Sequence, residues 1–416
     1  MRTGTNKHIF VAFAITWFGW LFDALDSMIF GMTIPAMIKE WHITPSTIGF
    51  IGTCFLLAYA FGDLLFATAA DRRGRKPMLM LSVAVYGVFT GLCGLAGSWK
   101  QMLIARAVTG IGTGGELPVG ALIVAEETPA KWRGFALGAL ISAYPIGYLL
   151  AALFNILFSP LYGWRSLYFA GAIPALVLIA FAAVFLKETQ RFTQSRIEAA
   201  QKAVRKHVNI LEPIRYSLRN YVVGIVIMFA FLFMWWGWAT WVPQFLITEK
   251  HLGVLKGSYF IIYYSIFGLP AYFICGYISE KLGRKKALAL FMVPAAVLLW
   301  VYVNLSSVSA LLVVGCITSF FIYGGYAIGI TYPSEFFPTR MRGTGYGGSM
   351  FIARVLASIS PFLIGYIATK TSIAAGLPIL SVVFLISVLI MYLYAPETSQ
   401  KELEDIVREK PVTGME

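Results

Sequence analysis

Stretches of about 20 apolar residues, the length that crosses a hydrocarbon core of roughly 30 Å as a helix, recur along this chain from Ile9 almost to Ala395. Twelve are found, over 9–31, 46–69, 77–97, 99–124, 134–159, 165–186, 221–247, 256–279, 286–306, 308–333, 343–369 and 372–395. No soluble fold accommodates that pattern. Only 13% of the 416 residues are charged, about half the share usual in soluble proteins. The first stretch carries Asp23 and Asp26 and leads into further spans, so it reads as a retained helix and not a cleaved signal. The expectation is an all-α membrane protein of twelve transmembrane helices.

The net charge of +13 superficially suggests nucleic acid, but in a membrane protein the position of each cation decides. With the amino terminus inside, 25 of the 33 Lys and Arg fall in cytoplasmic loops and tails, six outside, and two, Arg106 and Arg354, within spans. That asymmetry excludes a nucleic-acid partner and predicts a multi-pass protein of the cytoplasmic membrane with both termini cytoplasmic. Cys54, Cys93, Cys275 and Cys316 all lie in apolar spans without metal-like spacing and read as free thiols packing as small hydrophobes.

Displacing the chain against itself by 209 residues aligns three separate segments. Asp71, Gly74, Arg75 and Lys76 meet Glu280, Gly283, Arg284 and Lys285. Glu126, Pro129, Arg133 and Gly134 meet Glu335, Pro338, Arg342 and Gly343. Glu188 and Thr189 meet Glu397 and Thr398. Three matches at one offset, each at the cytoplasmic end of a corresponding span, indicate a duplicated six-helix unit. The expected divisions are a bundle over 1–186, a basic cytoplasmic linker over 187–220 whose spacing allows amphipathic helix, a second bundle over 221–395 and a tail over 396–416. Parallel halves of this kind are used for alternating access.

The loop Asp71-Arg72-Arg73-Gly74-Arg75-Lys76, with its second copy in Gly276 through Lys286, resembles the signature loop of the major facilitator superfamily, and the resemblance covers the whole chain. One departure is Ala67, where that loop is preceded by glycine; Gly276 supplies it in the second copy. The stretches Gly114-Gly115-Glu116-Leu117-Pro118-Val119 and Tyr332-Pro333-Ser334-Glu335 through Gly345 are similar to the branch of bacterial nicotinate and aromatic-acid proton symporters, animal organic-ion transporters and synaptic-vesicle glycoproteins. Sugar porters are its neighbours. The resemblance implies a monomeric, lipid-embedded secondary transporter that uses protons as coupling ion.

Ionisable groups inside a bilayer cost about 2.5–3.5 kcal/mol each on insertion scales and are functional candidates for that reason. Here they are Asp23, Asp26, Asp63, Arg106, Glu116 and Arg354. Asp26 lies five residues before the expected outer end of helix 1, and Arg106 seven residues into helix 4, so their depths match and they can neutralise each other. Asp23 or Asp26 is the expected proton carrier, with Arg106 setting its affinity and Glu116 a weaker candidate; a static ion pair is the competing reading. Arg354 needs an anion, and its planar fork suits a carboxylate; the resemblance implies substrate contact for an arginine in helix 11. Tyr144, Trp235 and Trp238 are candidates to stack on a planar substrate, while Trp241 reads as an interface-belt residue. Asp71, Arg75, Glu126, Arg133, Glu280, Arg284, Glu335 and Arg342 read as gating ion pairs, or as charges that only enforce topology.

Gly110, Gly112 and Gly115 spell a dinucleotide fingerprint, but no strand precedes them, and small residues at this spacing let membrane helices approach closely. No nucleophile–base pair, nucleotide motif or metal-ligand spacing supports an enzyme or a bound cofactor. The expected activity is proton-coupled symport of a small organic anion, with a sugar or polyol symporter or an organic-ion exporter as alternatives. Asn155, Gln244 and Asn304 nearly exhaust the amide side chains within the spans, which disfavours sugars.

Overall fold

The computed structural model describes residues 2–189, 191–194, 212–338 and 341–398. Among the described residues, twelve helices are long and apolar enough to cross a membrane. They are α1 (Arg2–Trp41), α2 (Pro45–Arg73), α3 (Arg75–Gly94), α4 (Trp99–Glu127), α5 (Ala130–Ile141 and Ala143–Tyr162) and α6 (Arg165–Phe185), followed by α7 (Leu218–Thr248), α8 (Gly253–Leu282), α9 (Arg284–Asn304), α10 (Val308–Thr331, with a 3-10 turn over Tyr332–Phe336), α11 (Arg342–Ala357 and Ser360–Lys370) and α12 (Ile373–Gly376 and Pro378–Tyr394). All-helical construction follows from the solvent: in hydrocarbon each backbone N–H and C=O must bond within its own segment. Within the expected 187–220 linker, Glu212–Tyr216 is helical; residues 190 and 195–211 of that linker, and 399–416 of the tail, lie outside the described residues.

The offset of 209 carries into the helices: α2, α3 and α4 displaced by it overlie α8, α9 and α10 to within a residue or so. Local chemistry repeats with it. Ser98 caps α4 by accepting from the backbone N–H of Gln101, and Ser307 caps α10 from that of Ala310. Gly74 (φ 108°) and Gly283 (φ 94°) make the turns from α2 to α3 and from α8 to α9 in a backbone region that disfavours side chains.

Two compact units are present. The first comprises Met1–Arg205, Ala239–Ile262 and Pro361–Lys370; the second comprises Lys206–Trp238, Tyr263–Ser360 and Thr371–Glu416. In the first, α4 is the central element, seated against α1, α2 and α3. The glycine series makes this possible: a Cβ on Gly110 would come 2.3 Å from the Phe55 carbonyl oxygen, and one on Gly114 would come 2.2 Å from that of Tyr59. Phe66, Ala70, Met78, Leu79, Val119 and Ile123 close a core beneath the basic loops. Side chains such as Phe181, Val184, Phe273 and Leu389 are exposed, as the lipid-facing surface of a membrane protein requires.

The same unit holds the end of the bundle away from those loops. Asn155 donates to Ser258 at 2.9 Å, and Trp241 Nε1 to the Pro361 carbonyl at 3.0 Å. Trp241 is fully buried beside Gly365, which corrects its expected place in an interface belt. A tryptophan near a helix end is a belt residue only if that face meets lipid, and here it meets Gly365 and Pro361.

Candidate functional site

Helix α1 does not end near residue 31. It runs through Pro35 to Trp41 because Ile34 and Met37 are fully buried and one proline removes a single backbone hydrogen bond. Asp26 therefore lies fifteen residues from the helix end, about 22 Å at 1.5 Å per residue, and not five. Asp26 and Arg106 thus lie at unequal distances from their helix ends, yet they pair. Arg106 Nη1 donates to both Asp26 oxygens, at 3.0 and 2.8 Å, and both side chains are 1% exposed.

The surroundings of this pair were not anticipated. Thr90 on α3 donates to Asp26 Oδ1 at 2.6 Å. The guanidinium carbon of Arg106 sits 4.1 Å from the Phe55 ring centroid and 5.4 Å from that of Phe30, so a desolvated cation has two aromatic rings beside it. Nothing in the sequence separates Thr90, Phe30 or Phe55 from the other threonines and phenylalanines of apolar helices. Their role is visible only once α1, α2, α3 and α4 are packed.

Asp23, also fully buried, receives Ser27 Oγ at 3.4 Å. Glu116 lies where α1, α3 and α4 meet. Ser82 Oγ approaches it at 3.4 Å, and a Cβ on Gly19 would fall 1.9 Å from Glu116 Oε1, so the carboxyl occupies the space that glycine leaves on α1. Asp63 is half-buried, with its backbone against Gly114.

At the basic-loop end the duplicated motif builds the same cluster twice. In the first unit Arg75 meets Glu126 at 2.9 Å and Asp71 at 3.1 Å, and donates to the Ala70 carbonyl. Glu188 accepts from the backbone N–H of Arg75, and Thr189 hydrogen-bonds Glu126. In the second, Arg284 meets Glu335 at 3.2 Å and Glu280 at 3.7 Å, Glu397 accepts from the Arg284 N–H, and Thr398 hydrogen-bonds Glu335. Glu188, Thr189, Glu397 and Thr398 were legible as a repeat but not as members of the cluster. The side chain of Arg133 lies outside the described residues, and Arg342 opens α11 half-buried. At Gly276, the glycine of the second motif copy, an added Cβ would meet nothing within 4 Å.

The aromatic candidates divide. Trp238 is fully buried against Tyr264 and Tyr302, a packing role in this conformation. Trp235, also buried, packs on Tyr323 and on the half-exposed Tyr326. Tyr144 is 8% exposed, with its ring 4.9 Å from that of Trp20. Arg354 is half-buried on the first segment of α11, four residues before its break.

A fold of twelve spanning helices in duplicated halves, with doubled acid–arginine clusters at one end and a buried Asp–Arg pair between helices, is that of a secondary transporter. The profile of the Major Facilitator Superfamily matches residues 16–302 and 257–414, and the chain belongs to that family. It is 29% identical to a putative niacin/nicotinamide transporter of Bacillus subtilis over 93% of this chain and 96% of that protein. It is 26% identical to a benzoate transport protein of Acinetobacter baylyi, over 83% and 81%. The solved xylose transporter of E. coli shares the fold, with a TM-score of 0.77 at 17% identity over 96% of this chain and 99% of that one.

Proposed function

We propose that this protein of the cytoplasmic membrane, with both termini inside, imports a small aromatic monocarboxylate together with a proton by alternating access. The observation that carries this reading is the Asp26–Arg106 pair, 1% exposed and held by a hydroxyl. A buried ion pair is a poor stabiliser relative to apolar packing, and in a transporter it supplies a carboxylate whose charge can be cancelled by a proton. The proton loads Asp26 from outside and leaves inside. Asp23 and Glu116 hold the neighbouring carboxyls of the same helix junction. Arg354 receives the substrate carboxylate through its planar fork, and Tyr144, Trp235 and Trp238 are the aromatic candidates for stacking on the substrate ring. The clusters of Arg75 and Arg284, with Arg133 and Arg342 flanking, hold the basic-loop end in one conformation and release it in the other. Support for the substrate class comes from the names of the relatives, niacin and benzoate, both ring compounds. One proton per monoanion makes the cycle electroneutral; a second would add about 2.3 kcal/mol per 100 mV.

The test is lumenal pH in proteoliposomes of the full chain on addition of nicotinate, benzoate, acetate, a hexose or an organic cation. Acidification on addition of an aromatic carboxylate is expected. A response confined to hexoses or cations contradicts the reading.

A further inference from the structure

Thr90 stands in an unusual position for a back-bonded threonine. Its hydroxyl lies 2.6 Å from Asp26 Oδ1 and 2.7 Å from the Tyr86 carbonyl oxygen, and the side chain is fully buried. The contact to Tyr86, four residues earlier, is the ordinary local bond of a helical threonine. The contact to Asp26 on another helix is not. A hydroxyl has one proton to give and lone pairs to accept with, whereas a backbone carbonyl only accepts. Two fully bonded arrangements are therefore available. With Asp26 ionised, Thr90 donates to Oδ1. With Asp26 protonated, the carboxyl O–H donates to Thr90 Oγ1, and Thr90 turns its own proton to the Tyr86 carbonyl.

We infer that Thr90 is the positioning residue that makes Asp26 a reversible proton site, by rotating one hydroxyl between two acceptors as the carboxyl gains and loses its proton. This deepens the function proposed above and rests on Asp26 as the proton carrier. The threonine proton stays on threonine throughout; only the transported proton enters and leaves. Arg106 cannot substitute, because a guanidinium only donates, and among the described residues Thr90 and Arg106 are the hydrogen-bond partners of the Asp26 carboxyl. The other titratable groups facing the pair are Asp23 on α1, Tyr86 and Cys93 on α3, Glu116 on α4 and Tyr168 on α6. Tyr168 is engaged with Thr33 at 2.9 Å, and Tyr86 donates to the Gly19 carbonyl at 3.2 Å.

The test follows the infrared band of protonated carboxyl groups through a pH titration of the full chain in lipid, which needs no substrate. Asp26→Asn identifies the band; if the titrating band persists unchanged in Asp26→Asn, Asp26 is not the carrier and the underlying function fails with it. If the band is lost there, Thr90 is judged separately. Thr90→Ser, which keeps the hydroxyl, is expected to titrate at the wild-type midpoint. Thr90→Val is expected to move the midpoint up by roughly 0.5–1 unit, because the ionised form loses a charge-assisted bond and the protonated form only a neutral one. Thr90→Ala should move it in the same sense and serves if the valine variant does not fold. A wild-type midpoint in the hydroxyl-less variants, or an equal shift in Thr90→Ser, overturns the inference.

Discussion

The two halves repeat each other at the basic-loop end and part company within the membrane. At the loops, Arg75, Glu126, Glu188 and Thr189 have counterparts in Arg284, Glu335, Glu397 and Thr398, with the same bonds between them. Deeper in, the offset of 209 that superimposes the helices places Asp26 on Trp235, Arg106 on Gly315, Glu116 on Gly325 and Thr90 on Leu299. The space of the absent Arg106 is taken by Tyr264, whose ring a Cβ on Gly315 would meet at 2.2 Å, and that of Glu116 by Phe231. One duplicated scaffold thus carries buried charge in the first half and packed aromatic rings in the second.

The largest expected effect comes from stranding a charge. Arg106→Ala leaves Asp26 buried without its cation and should cost about 3–5 kcal/mol, read as lost thermal stability in detergent. Gly315→Ala, at the corresponding place, should cost only about 1–3 kcal/mol, by overpacking Tyr264. Equal losses at the two sites would erase the contrast between the halves.

The next effect asks whether the clusters are equivalent. Arg75 is 10% exposed and stacks on Phe192 at 4.9 Å, whereas Arg284 is 21% exposed. Arg75→Gln should therefore destabilise by about 2–3 kcal/mol and Arg284→Gln by roughly half as much, measured by the same thermal shift. A reversed order would mean that exposure does not set their strength. Smallest are the outer acids. Asp71 and Glu280 are 62% and 73% exposed, so Asp71→Asn and Glu280→Gln should each change stability by less than about 1 kcal/mol. A larger loss from either would give these acids a structural part that their exposure does not support.

How much of this was legible can be judged residue by residue. Helix number followed from apolar length, and the doubled clusters from charges repeated at one offset, because both signals are periodic along the chain. The Asp26–Arg106 pair was legible because a bilayer makes isolated charges costly. Its depth was misjudged because the end of α1 depends on whether Met32–Trp41 finds neighbours, a tertiary fact. Thr90 was invisible because a threonine in an apolar helix has the same local bond whether or not a carboxylate sits opposite. Trp241 was misplaced for a related reason: hydropathy does not tell a lipid-facing ring from an enclosed one.

On the proposed function the proton is carried by the first half alone, at Asp26. Asp26→Asn mimics the protonated side chain, so the most direct measurement compares, in proteoliposomes, nicotinate-driven proton influx with counterflow exchange of labelled nicotinate in this variant and the parent. Influx and pH-driven accumulation are expected to vanish while exchange persists. Proton influx undiminished in Asp26→Asn would contradict it.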